Sequence, residues 1–97
     1  MTTRPPRWVV ESIESFDEDY AAFAARGGRL HQFRESWEFY LPRCPVLMTK
    51  GISSPEDMGY RVMVYGDEQL GVEYFVGLSI DPPRRLVWLR WIDSCEM

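Results

Sequence analysis

The strongest hydrophobic pattern in the chain lies in its second half. Between positions 72 and 80 every second residue is apolar, and these residues are Val72, Tyr74, Val76, Leu78 and Ile80. A period of two predicts a β-strand with one buried face. Residues 60–65 alternate as well, and we expect Tyr60, Val62 and Val64 to face the core there. Residues 86–92 are apolar on both faces, which predicts a strand that is central in its sheet or covered on both sides.

The first half of the chain predicts one short strand followed by a helix. Residues 8–13 are rich in the β-branched and aromatic types that favour strands. The apolar positions after them recur at helical spacing and are Phe16, Tyr20 and Phe23. Ser15 lies three residues before Glu18, and this spacing predicts a capping box at the start of the helix. The glycine pair 27–28 predicts its end, because glycine is favoured just past a helix C-terminus.

A second helix is predicted over residues 29–41. It is ended by Pro42, and its apolar stripe consists of Leu30, Phe33, Trp37, Tyr40 and Leu41. Residues 42–58 are rich in proline and predict a loop with one short extended piece at 46–48. The element order β-α-α-β-β-β predicts an α+β fold in which a helical hairpin packs on a twisted antiparallel sheet. The 97 residues are predicted to form a single domain with a flexible tail at 1–6.

Charge narrows the classes of partner. The chain carries a formal net charge of −4, and Lys50 is its single lysine beside ten arginines. Sequence-independent binding of nucleic acid needs clustered positive charge, so this balance does not favour it, although a local basic patch can oppose the total. The acidic residues cluster early, at Glu11, Glu14, Asp17, Glu18 and Asp19. Arg84, Arg85 and Arg90 fall late in the chain.

No metal or cofactor site is expected. The two cysteines, Cys44 and Cys95, are far apart and lack the spacing of zinc ligands, so we interpret them as reduced thiols of a cytoplasmic protein. The first residues contain no apolar segment of the kind that directs secretion, and no stretch approaches the length of a membrane span. No motif of a phosphate-binding loop, dinucleotide site or protease is present.

The basic residues are the main candidates for chemistry. Arg61 shares one face of its predicted strand with Met63 and Tyr65, where it is a candidate catalytic residue that contacts a phosphate, or else an ordinary solvated arginine. Arg90 lies among tryptophans and is predicted either to stack on them or to point into a site. Lys50, in the loop before the Arg61 strand, can reach a phosphate or can simply be an exposed loop lysine.

Three further residues are candidates for substrate binding. Arg84 and Arg85 follow a predicted tight turn, where they either contact substrate or keep the turn soluble. Tyr65 is the third candidate, on the predicted Arg61 face. His31 is expected to be exposed.

The aromatic residues leave two interpretations open. Trp37, Tyr74 and one of Trp88 and Trp91 are expected in the core. If several of the large aromatics are instead exposed together, they indicate a protein interface.

Three segments resemble the RelE/ParE/HigB superfamily of bacterial type II toxins. They are RWVVESIESFDEDYAAF, like the opening strand and helix of the family, YRV, like its second strand, and RLVWLRWI, like its last strand. The resemblance spans about residues 7–92. It implies an RelE-like fold and an activity of one of two kinds. RelE-like and HigB-like members cleave messenger RNA on the ribosome, whereas ParE-like members act on DNA gyrase, and a cognate antitoxin neutralises each.

The resemblance assigns roles to few residues of this chain. Arg61 matches the strand arginine of the family, and Lys50 matches the basic loop before it approximately. RNA-cleaving members usually carry a further basic residue and a tyrosine or histidine after the last strand. Here residues 93–97 read DSCEM and supply neither. A missing acid or base is a loss of roughly 10²–10⁴-fold in rate.

Two functions therefore remain open. The first is a toxin of a type II toxin–antitoxin system that acts as an mRNA interferase, with Arg61, Arg90 and Lys50 in its site, or that binds a protein target. Its partners are a cognate antitoxin and either the ribosome with its mRNA or another protein. The second is a non-enzymatic acidic inhibitor on a similar scaffold, such as an immunity protein or a phage anti-defence protein. Such an inhibitor presents carboxylates to a basic site.

Overall fold

The computed structural model describes residues 7–51 and 59–97. The predicted tail at 1–6 and the end of the predicted loop, residues 52–58, lie outside these ranges. The elements are β1 (Val9–Ser12), α1 (Glu14–Ala24), α2 (Leu30–Tyr40), α3 (Pro45–Met48), β2 (Lys50–Gly51), β3 (Tyr60–Asp67), β4 (Val72–Asp81) and β5 (Leu86–Glu96). The predicted α+β class is confirmed, because the three helices pack on one five-stranded sheet.

The sheet is mixed, and the prediction of an antiparallel sheet is wrong. Its strand order is β1-β5-β4-β3-β2, in which β1 pairs with β5 in parallel and every other pair is antiparallel. The two-residue strand β2 is the cause, because it adds one reversal of chain direction before β5. The last strand consequently runs parallel to the first instead of against it.

Helix α1 starts differently from the prediction. Ile13 is its N-cap and no side chain caps the first turn, so the predicted capping box at Ser15 is wrong. Ser12 instead donates a hydrogen bond of 2.7 Å to Oδ1 of Asp17, from the end of the preceding strand. The predicted end is confirmed, since both residues of the pair 27–28 have positive φ angles, of 86° and 78°. Glycine adopts this conformation at little cost.

The apolar stripe of α2 is confirmed except at Tyr40, which is 49% exposed. The other four predicted members are buried: Leu30, Phe33, Trp37 and Leu41. The extended piece predicted at 46–48 is wrong, because this segment belongs to the one-turn helix α3. A proline in the first turn of α3 favours that conformation, since its fixed φ suits a helix start.

The two faces of the sheet differ in their cover. We call the face that packs against the helices the inner face, and the opposite one the outer face. The predicted assignment of the two faces of β3 is reversed. Met63 and Tyr65 lie on the inner face, and Val62 and Val64 lie on the outer one. Tyr65 stacks on the ring of Phe33 with centroids 4.9 Å apart. Burial of this ring on the inner face fixes the register, since side chains alternate strictly along a strand.

A fully buried aspartate joins the helical hairpin to the sheet. Asp67 ends β3 and accepts hydrogen bonds from the backbone N–H groups of Arg29 at 2.6 Å, Gln69 at 3.1 Å and Leu70 at 3.3 Å. Arg29 precedes α2, so one carboxylate holds the α1–α2 turn and the β3–β4 turn together. We call this arrangement the clamp at Asp67. Gly28 packs directly on it, because a Cβ there would lie 2.4 Å from Oδ2.

Candidate functional site

The outer face carries a group of large apolar side chains that none of the helices in residues 7–51 covers. We call this group the aromatic face, and it consists of Tyr60, Val62, Val64, Phe75, Trp88 and Trp91. Tyr60 is 42% exposed, Val64 45% and Trp91 43%. Exposed large residues are ordinary when scattered, but a contiguous group marks a surface that binds something.

A glycine at the centre of the aromatic face makes room for a tryptophan. The strand register places Gly77 between Val62 of β3 and Trp91 of β5. A Cβ on Gly77 would lie 1.9 Å from Cε2 of Trp91, so the indole ring occupies the space that a side chain would fill. The ring therefore lies across β4, where it joins the two halves of the aromatic face.

A β-bulge brings Arg90 to the same face. The register of β4 with β5 changes between Gly77 and Leu78, so Arg90 has no partner residue on β4. Its Nε donates a hydrogen bond of 2.8 Å to Oγ of Ser79, which lies on the outer face in register with Trp88. The expected stacking of Arg90 on a tryptophan is not observed among the described side chains. Other arginines of residues 7–51 and 59–97 lie over aromatic rings, and these are Arg26, Arg34, Arg43 and Arg85.

Sequence reasoning missed this arrangement because Trp88 and Trp91 are three residues apart. In a regular strand such a spacing puts two side chains on opposite faces. The bulge reverses that expectation, since one extra residue shifts the alternation. The prediction that one of the two belongs to the core is wrong, because the buried apolar residues of β5 are Val87, Leu89 and Ile92. The prediction that Trp37 and Tyr74 are buried in the core is confirmed.

Arg61 lies on the inner face, at the edge of the sheet. Its Nε donates to Oγ1 of Thr49, and its Nη2 donates to the carbonyl oxygens of Thr49 at 2.9 Å and Val46 at 3.3 Å. These bonds hold α3 and the start of β2 against β3. A shallow pocket of about 330 Å³ beside Arg61 is lined mainly by Val46, Ile80 and Pro82. The predicted role of Arg61 in phosphate contact stays a prediction.

The other basic candidates do not gather around Arg61. Lys50 is in strand β2 instead of a loop, in register with Val62, and this places it on the outer face opposite Arg61. Arg90 shares the outer face with Lys50, but strands β3 and β4 separate them. Three spacings between strands amount to about 14 Å. The structure therefore divides the three candidate catalytic residues between two faces.

The candidate substrate-binding residues are also scattered. Arg84 lies in the β4–β5 turn, where its Nε is 3.6 Å from a carboxylate oxygen of Asp81. Arg85 follows with a φ of 50° and with its guanidinium 5.8 Å from the ring centroid of Trp8. Tyr65, stacked in the core, is not placed to contact a substrate on the outer face.

The outer face carries charges of both signs around its apolar centre. Lys50 and Arg90 are positive, and Glu11, Glu73, Asp81 and Asp93 are negative. His31 is exposed on α2, as expected. Residues 7–51 and 59–97 contain no group of three or more His, Cys, Asp and Glu side chains that could hold a metal ion. The arrangement offers apolar contact area with a charged rim.

Tyr74 is a buried titratable group next to the clamp at Asp67. Its hydroxyl has no hydrogen-bond partner among the described residues. Burial raises its pKa above the ordinary tyrosine value, and the negative charge of Asp67 raises the pKa further, whereas the positive charge of Arg26 lowers it. The ring packs edge-on against Phe23 with centroids 5.9 Å apart.

A second apolar surface lies where α2 meets α3. Its shallow pocket, of about 470 Å³, is lined by Ser36, Tyr40, Cys44, Leu47 and Met48. Leu47 is 87% exposed. Cys44 and Cys95 are both free thiols.

None of the helices in the described ranges is long and apolar enough to cross a membrane. Comparisons with protein-family models, with curated proteins and with solved structures find no match to this chain.

Proposed function

We propose that this chain is a toxin-like protein that works by binding a protein target through the aromatic face, and that it does so without cleaving RNA. The observation that carries the proposal is the exposed group around Trp91 and Gly77. Tryptophan and tyrosine dominate the energetics of protein interfaces, because each buries a large area at little cost in conformational entropy.

Charge supports a protein target. The outer face holds four carboxylates and two basic groups, and the chain as a whole is acidic. A polyanion such as RNA gains little from this balance. A protein with a mixed or basic rim gains electrostatic complementarity, which increases the association rate and the specificity.

The positions of the candidate catalytic residues support binding over catalysis. Arg61 donates to Thr49 and Val46 on the inner face, so its guanidinium serves the edge of the sheet. Lys50 and Arg90 lie about 14 Å apart on the other face, by the spacing of strands. Stabilising one reacting phosphate requires donors within hydrogen-bond distance of the same oxygens.

The scaffold is part of the proposal. An opening strand, a helical hairpin and a C-terminal set of antiparallel strands match the order that the resemblance to RelE/ParE/HigB toxins implies. We infer a RelE-like fold and a cytoplasmic site of action on that ground. Binding to a protein target is the activity that the resemblance implies for ParE-like members.

A pull-down from a bacterial lysate tests the proposal. The wild-type chain is expected to retain a target, and Trp91→Ala is expected to lose it, because the substitution removes the ring at the centre of the aromatic face. The matched control is Leu47→Ala, which removes a more exposed apolar residue from the α2–α3 surface. Equal capture by both variants would contradict the use of the aromatic face.

Expression of the chain alone separates a toxin from an inhibitor. A toxin arrests growth, and Trp91→Ala is expected to relieve the arrest. Harmless overproduction of the folded chain would refute the toxin proposal. It would favour the non-enzymatic inhibitor, which uses the same face.

Binding of single-stranded RNA is a second candidate function, and one observation favours it. Arg90 and Lys50 flank exposed rings on one sheet face, and bases stack on such rings while basic groups contact phosphates. Fluorescence anisotropy with a labelled oligonucleotide tests this function. The double variant Lys50→Ala/Arg90→Ala is expected to lose salt-dependent RNA binding if the function is real. If the protein also cleaves RNA, Arg61→Ala is expected to abolish cleavage with the fold intact.

A further inference from the structure

The free side of β1 carries backbone groups that pair with nothing in the described chain. β1 is an edge strand, and within the described ranges it pairs only with β5. The N–H of Val9 donates to the carbonyl oxygen of Arg85, at the start of β5. In a parallel ladder, successive residues point alternately toward the neighbouring strand and away from it. Val10 and Ser12 therefore direct their N–H and C=O groups away from β5, where no other described backbone group pairs with them.

The start of this edge is covered and the rest is open. Trp8 lies on the same side, and its N–H donates to the carbonyl oxygen of Pro42 at 2.9 Å. Past this contact, Val10 and Ser12 offer two N–H and two C=O groups in a row. β1 is short, but it contains no proline, and Glu11 is its one charged residue. An open edge accepts an extended peptide, which adds to the sheet as a further strand.

A pocket lies under the same edge, on the inner face. Its volume is about 160 Å³, and its lining includes Val10 and Ser12 of β1 and Trp37 and Glu38 of α2. A cavity of about 150 Å³ holds a molecule of the size of benzene, so this pocket has room for one side chain. Side chains of an added strand alternate between the two faces of the sheet. A side chain that points to the inner face beside β1 therefore enters the pocket.

The charges around this pocket are mainly negative. Glu38 lines the pocket and pairs with Arg34 at 2.7 Å, so these two charges balance. Glu11 lines the pocket as well, and Asp17 accepts a hydrogen bond from Ser12, another lining residue. The three carboxylates and one guanidinium leave an excess of negative charge. A basic side chain gains electrostatic complementarity from this excess, and an acidic side chain does not.

We propose that the free edge of β1 binds an extended segment of a partner protein, and that a lysine or arginine of this segment enters the pocket beside Glu38. The segment adds to the sheet through the backbone groups of Val10 and Ser12. Arg85 lies at the start of β1, over the ring of Trp8, and does not line the pocket. A second copy of this chain fits the edge poorly, because pairing of two β1 edges brings the carboxylates of both copies together. The site is separate from the aromatic face, so the inference does not rest on the proposed function.

A short peptide is expected to bind weakly, which makes an NMR titration of backbone amides the suitable assay. Up to four backbone hydrogen bonds of ordinary strength correspond to a dissociation constant of about 1 mM. The probe is a short peptide of threonine residues with one lysine at its centre, because threonine favours strands and carries no charge. Its counterpart has a glutamate at the centre instead.

The wild-type chain gives the first result. The lysine peptide is expected to shift the amide resonances of Val10 and Ser12 and to slow their hydrogen exchange. It is expected to bind roughly five to ten times more tightly than the glutamate peptide, because the glutamate replaces an attractive contact by a repulsive one. Shifts confined to other parts of the chain would overturn the inference, and so would equal binding of the two peptides.

A proline substitution tests the backbone pairing itself. Ser12→Pro removes one outward N–H, and proline is tolerated at such a position of an edge strand. Ser12→Ala is the matched control, because both variants lose the hydrogen bond to Asp17 and only the proline variant loses the backbone donor. Ser12→Pro is expected to bind the lysine peptide about tenfold more weakly than Ser12→Ala. Equal affinities of the two folded variants would overturn the edge pairing.

Charge reversal tests the pocket, and it decides the question if Ser12→Pro does not fold. Glu38→Lys is expected to weaken binding of the lysine peptide about fivefold and to strengthen binding of the glutamate peptide. Glu35→Lys is the matched control, because it changes the net charge equally from an exposed position of the same helix that does not line the pocket. Equal effects of the two reversals would indicate non-specific attraction to an acidic protein and would overturn the inference.

Two further results separate this site from the alternatives. Trp91→Ala is expected to leave binding of the lysine peptide unchanged, whereas a loss would place the peptide on the aromatic face and overturn the inference. A dimer that protects the amides of Val10 and Ser12 without peptide would make a second copy the occupant and would overturn it as well. The capture of a target through the aromatic face succeeds or fails independently of these results.

Discussion

Replacement of Asp67 by alanine is expected to destabilise the protein more than any single change on its surface. The carboxylate is fully buried and accepts hydrogen bonds from the backbone N–H groups of Arg29, Gln69 and Leu70. Truncation leaves all three donors without this acceptor. It also opens a small space beside Gly28, which packs directly on the carboxylate.

The loss of stability in Asp67→Ala depends on how exposed to water each of the three N–H donors is. Hydrogen bonds to charged groups contribute about 1.5–3 kcal/mol each when the alternative is an unpaired buried group. Gln69 and Leu70 lie in an exposed turn where water can replace the carboxylate, so they add little. The bond from Arg29 is the shortest of the three, at 2.6 Å, and it joins two elements. We expect a total loss of about 2–4 kcal/mol in the free energy of unfolding, out of the 5–15 kcal/mol typical of a domain.

Urea denaturation followed by tryptophan fluorescence measures this loss. At a slope of about 1 kcal/mol per molar urea, the midpoint is expected to fall by roughly 2–4 M. Asp67→Asn keeps the shape and one acceptor, so an intermediate loss is expected. Glu68→Ala, the exposed neighbour, is the matched control and is expected to change little. A loss below about 0.5 kcal/mol for Asp67→Ala would refute the role of the clamp, since that is the scale of ordinary surface substitutions.

Three further predictions concern residues whose surroundings differ sharply. Gly28→Ala is expected to destabilise more than Gly27→Ala, because both have positive φ angles but only Gly28 has neighbours within 4 Å of an added Cβ; equal losses in thermal unfolding would contradict this. Tyr74→Phe is expected to be neutral or stabilising below pH 10. Folding raises the pKa of Tyr74, so the tyrosine of the unfolded chain ionises at a lower pH than that of the folded chain. The stability of the wild type is therefore expected to fall above pH 10 relative to that of Tyr74→Phe. Parallel profiles of unfolding free energy against pH would refute the shift. Arg61→Ala is expected to lower the free energy of unfolding by about 1–3 kcal/mol, because Thr49 loses the hydrogen bonds that Arg61 donates to it. An unchanged urea midpoint would contradict this structural role and would favour a functional role for Arg61.

The parts of the fold that were predictable are those with one dominant pattern. The period-two face of β4 was assigned correctly, because three of the four residues that alternate with it, Glu73, Gly77 and Ser79, are polar or small. The faces of β3 were not, because Val62 and Val64 are as apolar as Met63 and Tyr65. Alternation identifies two faces in such a strand but does not say which one the helices cover.

The assembly of the candidate site was not predictable. The sequence singled out Arg61 as a candidate phosphate contact and one of the two tryptophans of the last strand as a core residue, whereas Trp91 is 43% exposed. Their placement depends on a two-residue strand and on a bulge at Arg90, and neither has a periodic signal. The clamp at Asp67 was missed for a related reason, since Arg29 lies 38 positions away and only the tertiary fold brings it close.

The parallel pairing of β1 and β5 has a consequence for the order in which the fold can form. Val9 lies in register with Leu86, so β1 cannot join the sheet until the chain has been made as far as β5. The helices pack in one core with Val87, Leu89 and Ile92 of the same strand. Contacts so distant in sequence slow folding, because a long loop must close before they form. Residues 7–51 therefore cannot complete their core before β5 has been made, and the aromatic face, which includes Trp88 and Trp91, forms no earlier.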